Sequence, residues 1–316
     1  ILIFIFFINI IKHDSIYAHK SMYTYQNPFN WFEYKIKSNI VKSFINFRDI
    51  YGNGLNQKRI YLEEQKQKQL LTDTPRSTKI WQRGFYFDEK KSLLPMQARL
   101  RGDNPRNWLF EKKNWRIKVR KKDIVNQQRY FDYLPFDFNK YFSGKIANKI
   151  GVLSSDFRLI ELYLNDKSQG VYIEHENFNE SFLRRKKIMP VNMYKTEQIL
   201  DESIVALESN FFNSPGVASK SAVFNQLKKE DKSDLIFFLE LMRMSSNDKK
   251  YFDYLIEGIG VDKWALFASY QILTQNFHND NTHNLRMIVD PWSGHFYPIA
   301  HDPLIGNLNF KEFNLN

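Results

Sequence analysis

The sequence predicts a mixed α+β protein in which a strand-rich first part precedes a helix-rich second part, as expected of a two-lobed architecture. In residues 79–176, apolar and polar side chains alternate over several short segments bounded by turn residues, which indicates β-strands. Later segments place apolar residues at helical spacing. The 316 residues are 43% hydrophobic and 16% aromatic, which is enough to build a substantial core. The helical segments are 198–207, 234–244 and 262–275.

Two segments precede the predicted main domain at 77–316. Residues 1–19 begin with an apolar run, and Ala18 is a candidate cleavage position, which together predict a secretory signal or a membrane anchor. The run is shorter than the about 20 apolar residues that a membrane-spanning helix needs, so a buried N-terminal strand or helix is the alternative. Residues 20–76 are predicted to be an irregular extension with one solvated helix at 61–71. We therefore expect a secreted, cell-envelope or membrane-anchored protein.

The first strands of the domain lead into a basic segment. Strands are predicted at 79–87 and 97–100, and a turn follows at 102–105. Residues 115–120 alternate apolar with basic side chains, which predicts a half-buried strand with a cationic face. The segment 99–122 contains ten Lys or Arg residues against two acidic residues, and so holds most of the net charge of +11. Such a charge would suit nucleic acid, an anionic membrane surface or a phosphorylated or acidic substrate.

A helix and a hairpin follow the cationic strand. Apolar residues at helical spacing, Phe142 among them, predict a helix over 139–150, and Gly151 is placed to end it. Strands at 158–164 and 170–176 are then joined by an Asn-Asp-Lys turn, which predicts a β-hairpin. These two features make the region mixed α and β.

The helix-rich part ends in a second hairpin. The helix at 262–275 has Asp262 as its candidate N-cap. A strand at 285–289 then passes through a turn containing Pro and Gly into a strand at 295–300, which ends beside Asp302. This hairpin can bring Asp302 back beside the start of its own first strand.

The candidate catalytic residues carry oxygen ligands. The chain has no cysteine, which excludes disulfides, thiolate metal sites and cysteine nucleophiles. The densest polar group lies in 277–302 and supplies Asp280, Asn284 and Asp302. Phosphoryl transfer needs oxygen ligands for Mg²⁺ and a group that orients the attacking hydroxyl, and these residue types meet both needs. The alternative is that Asp280 and Asn284 only form turns and that Asp302 caps a strand end.

Four blocks of sequence, taken in order, resemble the CotH-type (spore-coat protein H) kinase family. They are LRGDNPR followed by KKNWRIKV, the segment 142–183, MYK at 193–195, and NDNTHNLRMIVDPWSGHFYPIAHDPLIG. The resemblance covers about 79–306. It implies an atypical protein-kinase-like, two-lobed fold that uses ATP and Mg²⁺ or Mn²⁺ to phosphorylate Ser or Thr hydroxyls of spore-coat or other extracytoplasmic proteins.

The resemblance also implies roles for individual residues. Asp280 matches the acidic residue of the catalytic loop, Asn284 its neighbouring polar ligand, and Asp302 the acidic residue that binds the metal–nucleotide complex. The division of base and metal duties between the two aspartates stays open. The residues implied to bind the nucleotide are Arg101, Gly102, Arg106, Lys113, Arg116, Lys118 and Glu176.

Several of these nucleotide-binding roles leave alternatives. Residues 102–106 would take the place of the phosphate-covering loop. Strand alternation puts Arg116 and Lys118 on one face and Lys113 nearer the loop, but it does not choose which of them contacts the phosphates. Glu176 would pair with that cation, and the alternative is a surface glutamate.

The sequence departs from the family pattern at two places. Asp103, Asn104 and Pro105 stand where the family has Ser or Thr, which puts a negative charge and a missing backbone donor where phosphate would lie. His301 replaces a Trp before the terminal Asp, and an Asp-x-Asp motif is reduced to Asp302 alone. These changes put nucleotide affinity and turnover in question more than the fold.

Three other functions compete with a kinase. The altered phosphate loop supports a pseudokinase or a surface adhesion module. A metal-dependent phosphohydrolase would use histidines close in sequence to the aspartates, although their spacing matches no helical metal-binding pair. Nucleic acid could stack on aromatic residues of 99–122, but no specific nucleic-acid partner is expected. The expected partners are a nucleotide, a protein with Ser or Thr acceptors and, through residues 1–19, a membrane. The four histidines are His278, His283, His295 and His301.

Overall fold

A computed structural model describes eleven β-strands and six α-helices of this chain, and the prediction of a mixed α and β protein is confirmed. The described residues fall into two compact units. We call them the barrel unit (residues up to 120, 132–135 and 159–172) and the helical unit (121–131, 136–158 and from 173). The residues described are 54–74, 76–87, 92–102, 107, 112–196, 215–276, 279 and 284–303. The predicted signal or anchor at 1–19 and the predicted helix at 198–207 lie outside them.

Seven strands form a closed barrel in the order β1-β2-β3-β4-β5-β7-β6. The first strand, β1, closes it by pairing antiparallel with β2 and parallel with β6. Closure leaves no strand edge exposed for pairing with another chain. The bounds are β1 Asn56–Leu62, β2 Gln82–Phe87, β3 Leu93–Leu100, β4 Trp115–Val119, β5 Tyr130–Pro135, β6 Phe157–Leu164 and β7 Lys167–Glu176.

The expectation of an irregular segment over 20–76 is wrong for strand β1. Lys58, Ile60 and Leu62 are all buried on one face of this strand. A buried lysine breaks the apolar alternation that marks a strand in a sequence, and β1 therefore escaped prediction. The helix expected in the same segment is confirmed as α1, Glu64–Thr72.

The strands predicted in the basic part of the chain are confirmed. In β4, Trp115, Ile117 and Val119 are buried and alternate with partly exposed Arg116 and Lys118. The register pairs each of these two cations with a polar residue of β3. The cationic strand face predicted from the sequence is therefore part of the barrel unit.

Helix α2, Phe138–Ile150, begins and ends with the expected signals. The Asp137 side chain accepts a hydrogen bond from the backbone N–H of Lys140, and Gly151 ends the helix in the left-handed conformation, with φ 88°. The predicted apolar spacing is confirmed at Ile146 and Ile150, which pack against a core cluster, but it is wrong at Phe142, which is 45% exposed. The fully buried residues of the helix are small. Those small residues are Ser143, Gly144 and Ala147.

The small residues of α2 allow a close approach to the strand that follows. A Cβ atom added at Gly144 would lie 2.4 Å from the ring of Phe157, a distance that requires the ring or the helix to move. Ser143 Oγ lies 2.7 Å from the hydroxyl oxygen of buried Tyr270, which joins α2 to a later helix. The apolar spacing of α2 did not predict these contacts, because they are made by small residues at short packing distances.

Replacing Gly144 with Ala should lower the free energy of unfolding by about 1–3 kcal/mol, the usual cost of overpacking a filled core. Gly258 is a matched control, because it lies in a helix and a Cβ there would meet nothing within 4 Å. Gly258→Ala should leave stability unchanged or raise it by up to about 1 kcal/mol. Urea unfolding of both variants tests this, and equal effects would contradict the close packing at Phe157.

The hairpin of β6 and β7 is confirmed. Its loop residues Asn165 and Asp166 have φ values of 47° and 59°. Positive φ at both central positions is the requirement of a type I′ turn, and Asn and Asp tolerate it better than most residues. The Asn-Asp pair was therefore a correct local signal.

The helical unit contains a four-stranded sheet in the order β11-β10-β8-β9. Its core joins buried residues of the sheet, such as Met287 and Phe296, to Phe238 and Leu255 of two covering helices. Among the described residues, no helix is both long and apolar enough to cross a membrane. The bounds are α3 Glu180–Arg185, β8 Asn192–Thr196, β9 Ala218–Ala222, α4 Ser233–Ser245, α5 Lys249–Ile259, α6 Val261–Thr274, β10 Arg286–Asp290 and β11 His295–Ile299.

The predicted start of α6 needs one correction. Asp262 lies in the first turn of the helix, and Gly260, with φ 65°, occupies the capping position. Helix α5 ends at this same glycine, so the chain passes from one helix to the next through one left-handed residue. The sequence analysis predicted the helix after this glycine, at 262–275, but not α5 before it.

Candidate functional site

The hairpin of β10 and β11 places two of the predicted catalytic residues at the same end. The register pairs Arg286 with Ile299, so Asn284 precedes the first paired residue and Asp302 follows the last. The predicted return of the chain at Asp302 to the start of β10 is confirmed. At the other end, Asp290 stabilises the turn by accepting hydrogen bonds from Trp292 N–H and Ser293 O–H.

Asn284 and Asp302 both have left-handed backbone conformations, with φ values of 61° and 46°. Few residues other than glycine adopt this conformation, and Asn and Asp do so most readily. Two such residues at one end of a hairpin mark a backbone that the surrounding structure holds in place.

Lys140 is the charged partner of Asp302. Its Nζ atom lies 2.5 Å from Asp302 Oδ1, and the two side chains are 18% and 23% exposed. Lys140 is in the first turn of α2, where the Asp137 cap fixes the backbone. Sequence reasoning missed Lys140, because 162 residues separate it from Asp302 and no local pattern connects them.

The residue before Asp302 is held by a buried set of contacts. His301 donates its backbone N–H to Asn279 Oδ1 at 2.7 Å, and its ring Nε2 lies 3.2 Å from a guanidinium nitrogen of Arg286. The same ring meets Phe178 edge-on, with centroids 5.2 Å apart. Asp302 is therefore attached to a fixed segment, and His301 takes a packing position where the family pattern has Trp.

The phosphohydrolase alternative named four histidines, and the two of these that the structure describes lie apart. His295 begins β11 and His301 follows its end, which is about 20 Å at about 3.3 Å per strand residue. In the part of the chain that the structure describes, no group of three or more His, Asp or Glu side chains could hold a metal ion. The other candidates, Asp280, Arg106, His278 and His283, lie outside the described residues.

Glu176 is buried, so the alternative of a surface glutamate is wrong. Its carboxylate lies 2.5 Å from a guanidinium nitrogen of Arg185, which also contacts Asp156 at 2.9 Å. Burial raises the pKa of the Glu176 carboxyl, and Arg185 offsets this only in part. Partial burial also opposes ionisation of Asp156, but the hydrogen bond and charge of Lys186, with Arg185, outweigh it and lower the pKa of Asp156. The cation beside Glu176 is therefore Arg185, which the sequence did not indicate.

In the barrel unit, two of the predicted nucleotide-binding arginines converge on one buried carboxylate. Arg116 donates two hydrogen bonds of 2.6 Å to the two oxygens of Asp132, and Arg101 Nε lies 2.8 Å from Oδ2. The Asp132 side chain is only 1% exposed. This bidentate pairing with Asp132 fixes the plane of the Arg116 guanidinium. A single Asp within the apolar strand sequence YFDYLP was the signal for this residue.

Of the remaining predicted nucleotide-binding residues of the barrel unit, Gly102 and Lys113 lie between β3 and β4, and Lys118 lies within β4. Gly102 has φ 95°, and an added Cβ would meet the Asn107 side chain at 2.2 Å. The Asn114 side chain donates to Asn107 Oδ1 at 2.6 Å, and Lys113 directly precedes it. The Lys118 ammonium lies 4.4 Å from the centroid of the Trp81 ring. The Asn107 and Asn114 side chains are thus paired, and Lys118 is held over an aromatic face.

Comparison with known proteins agrees with the resemblance found in the sequence. A family model described as CotH kinase protein matches residues 98–303. A search of curated proteins found no match. The matched range covers more than half of the chain and includes the Asp132, Glu176 and Asp302 clusters. The chain belongs to the CotH kinase family.

Proposed function

We propose that this protein transfers the γ-phosphoryl group of ATP, in a reaction dependent on Mg²⁺ or Mn²⁺, to Ser or Thr hydroxyls of a secreted or envelope protein. The observation that carries the proposal is the paired placement of Asn284 and Asp302 at one end of the β10–β11 hairpin, with Lys140 on the Asp302 carboxylate. Membership of the CotH kinase family supports a kinase reaction and an atypical two-lobed kinase arrangement. The extracytoplasmic location rests on the apolar segment within residues 1–19.

The donor chemistry of the site suits a hard divalent cation. The Asp302 carboxylate and the Asn284 amide offer oxygen ligands, which Mg²⁺ prefers. Asp280 is the third proposed ligand or the base that accepts the hydroxyl proton. A bound divalent ion would neutralise charge on the transferring phosphoryl group. Lys140 positions the Asp302 carboxylate and limits its rotation.

The residues proposed to bind the nucleotide belong to the barrel unit and to the segment between β3 and β4. Arg116 has a fixed plane because of Asp132, which suits a planar contact with phosphate oxygens. Lys118 and Lys113 are the other candidates for that contact, and 102–106 would cover the phosphates. Arg101 and Glu176 act through Asp132 and Arg185 and so are proposed as positioning residues.

Phosphate transfer by the full chain tests the proposal directly. We expect incorporation of ³²P from γ-labelled ATP into the chain itself or into a Ser-rich acceptor with Mg²⁺ or Mn²⁺, and none with EDTA. Mass spectrometry should place the phosphate on Ser or Thr. Release of free phosphate from a phosphomonoester without ATP would instead support a phosphohydrolase.

A nucleotide-binding pseudokinase or adhesion module is the second candidate. The ion pairs of the basic residues favour this candidate, because a cation that already contacts a carboxylate is less available to a phosphate group. Asp132 contacts both Arg101 and Arg116, and Asp302 contacts Lys140. Folded protein that binds ATP without transferring phosphate would support this function. Folded protein that neither binds ATP nor transfers phosphate would support the adhesion function.

A further inference from the structure

The helical unit contains a cleft away from the Asp302 cluster. Its volume is about 450 Å³, which is within the range of small-molecule sites. The cleft is lined by the C-terminal end of α2, the loop after α3, the first turns of α6 and the β10–β11 turn. Asn148 of α2 lines it, and eight residues of helix, about 12 Å, separate Asn148 from Lys140. The cleft is therefore separate from the proposed catalytic site.

One part of the cleft wall is apolar. Val152 and Leu153 follow α2, Ile188 follows α3, Leu266 belongs to α6 and Pro298 to β11. Such a surface favours a ligand with a flat hydrocarbon or aromatic body, because contact removes apolar area from water.

The lining of the cleft includes both cationic and anionic side chains. Lys186 and the exposed Lys263 supply two ammonium groups, against the single carboxylate of Asp290. Both Asp290 oxygens already accept hydrogen bonds within the turn, from Trp292 N–H and Ser293 O–H. Lys186 also holds Asp156 at 2.9 Å, which leaves Lys263 as the cation whose ammonium is best placed to meet a ligand.

We propose that this cleft binds a small organic anion with an apolar body. The apolar wall would contact the body of the ligand, and Lys263, assisted by Lys186, would contact its sulfonate, phosphate or carboxylate group. Tyr297 also lines the cleft, where burial first and then Asp290 raise the pKa of its hydroxyl to about 12. The proposal is independent of phosphoryl transfer.

Two fluorescent probes that differ in charge test the proposal on the full chain. Anilinonaphthalene sulfonate carries an anion on an aromatic body, and N-phenylnaphthylamine has a similar body without the charge. We expect saturable binding of the sulfonate at one site. Lys263→Met should weaken it about tenfold, the value of one charge-assisted contact, and change binding of the neutral probe less than about twofold.

Two further variants make the result specific to the cleft. Lys249 is exposed on α5 and does not line the cleft, so Lys249→Met should bind both probes as the wild type does. Leu266→Trp fills the cleft and should abolish binding of both. Wild-type protein that shows no saturable binding, or a Lys263→Met variant with unchanged affinity for the sulfonate, would overturn the proposal. Lys263 is exposed, so its replacement tests the proposal even if Leu266→Trp unfolds the protein.

Discussion

Replacing Asp302 with Asn is expected to reduce phosphate incorporation about a thousandfold while the protein stays folded. The amide keeps the size of the side chain and can still accept a hydrogen bond from Lys140, but it has no charge with which to hold a divalent cation. The loss should therefore appear in kcat as well as in the concentration of Mg²⁺ that gives half-maximal activity. Initial rates measured over a range of Mg²⁺ concentrations separate these two effects.

The control for this experiment is a second aspartate of the helical unit. Asp253 is exposed on α5, and Asp253→Asn should retain wild-type activity. Circular dichroism of both variants should match the wild type. Activity of Asp302→Asn within about fivefold of the wild type would remove Asp302 from the catalytic machinery and favour the role of a strand-end cap.

Replacing Asp132 with Asn is expected to lower the free energy of unfolding by about 3 to 5 kcal/mol. The substitution leaves Arg101 and Arg116, both largely buried, beside a neutral group. Removing one partner of a buried ion pair exposes the full cost of burying the other charge. Urea unfolding followed by far-UV circular dichroism measures the change as a lower midpoint.

Asp166 provides the matched control in the same unit. It also contacts an arginine, Arg59 at 2.7 Å, but its side chain is exposed in the β6–β7 turn. Asp166→Asn should therefore change stability little, because exposed ion pairs contribute weakly. Similar stabilities for Asp132→Asn and Asp166→Asn would show that the Asp132 cluster does not support the barrel.

Local signals predicted much of the fold. The β6–β7 hairpin followed from Asn165 and Asp166, and α2 followed from its spacing and Gly151. Strand β1 was not predicted because Lys58 is buried among apolar residues. The burial of a lysine depends on the tertiary structure and cannot be seen in the local sequence. The close packing at Gly144 of α2 was missed for a related reason, because the Phe157 ring that leaves no room for a side chain there belongs to another element.

The same division applies to the candidate site. Asn284 and Asp302 were found because a hairpin joins them, and the ends of a hairpin are predictable from its turn. Lys140, Asp132 and Arg185 were missed because each meets its partner through tertiary packing. The charges of Lys140 and Arg185 gave no clue, since the sequence has many basic residues, whereas the single Asp132 in an apolar strand was a signal that could have been used.

The turn of the β10–β11 hairpin has a consequence for how the length of this chain can vary. Residues 291–294 lie between the last paired residues, Asp290 and His295, and take no part in the ladder. Insertions or deletions there would leave Asn284 and Asp302 at the same end, whereas one residue added within β10 or β11 would reverse the facing of every residue beyond it. Natural length changes should therefore collect in the turn, and related sequences should be compared by strand register rather than by a fixed number of residues between the two site positions.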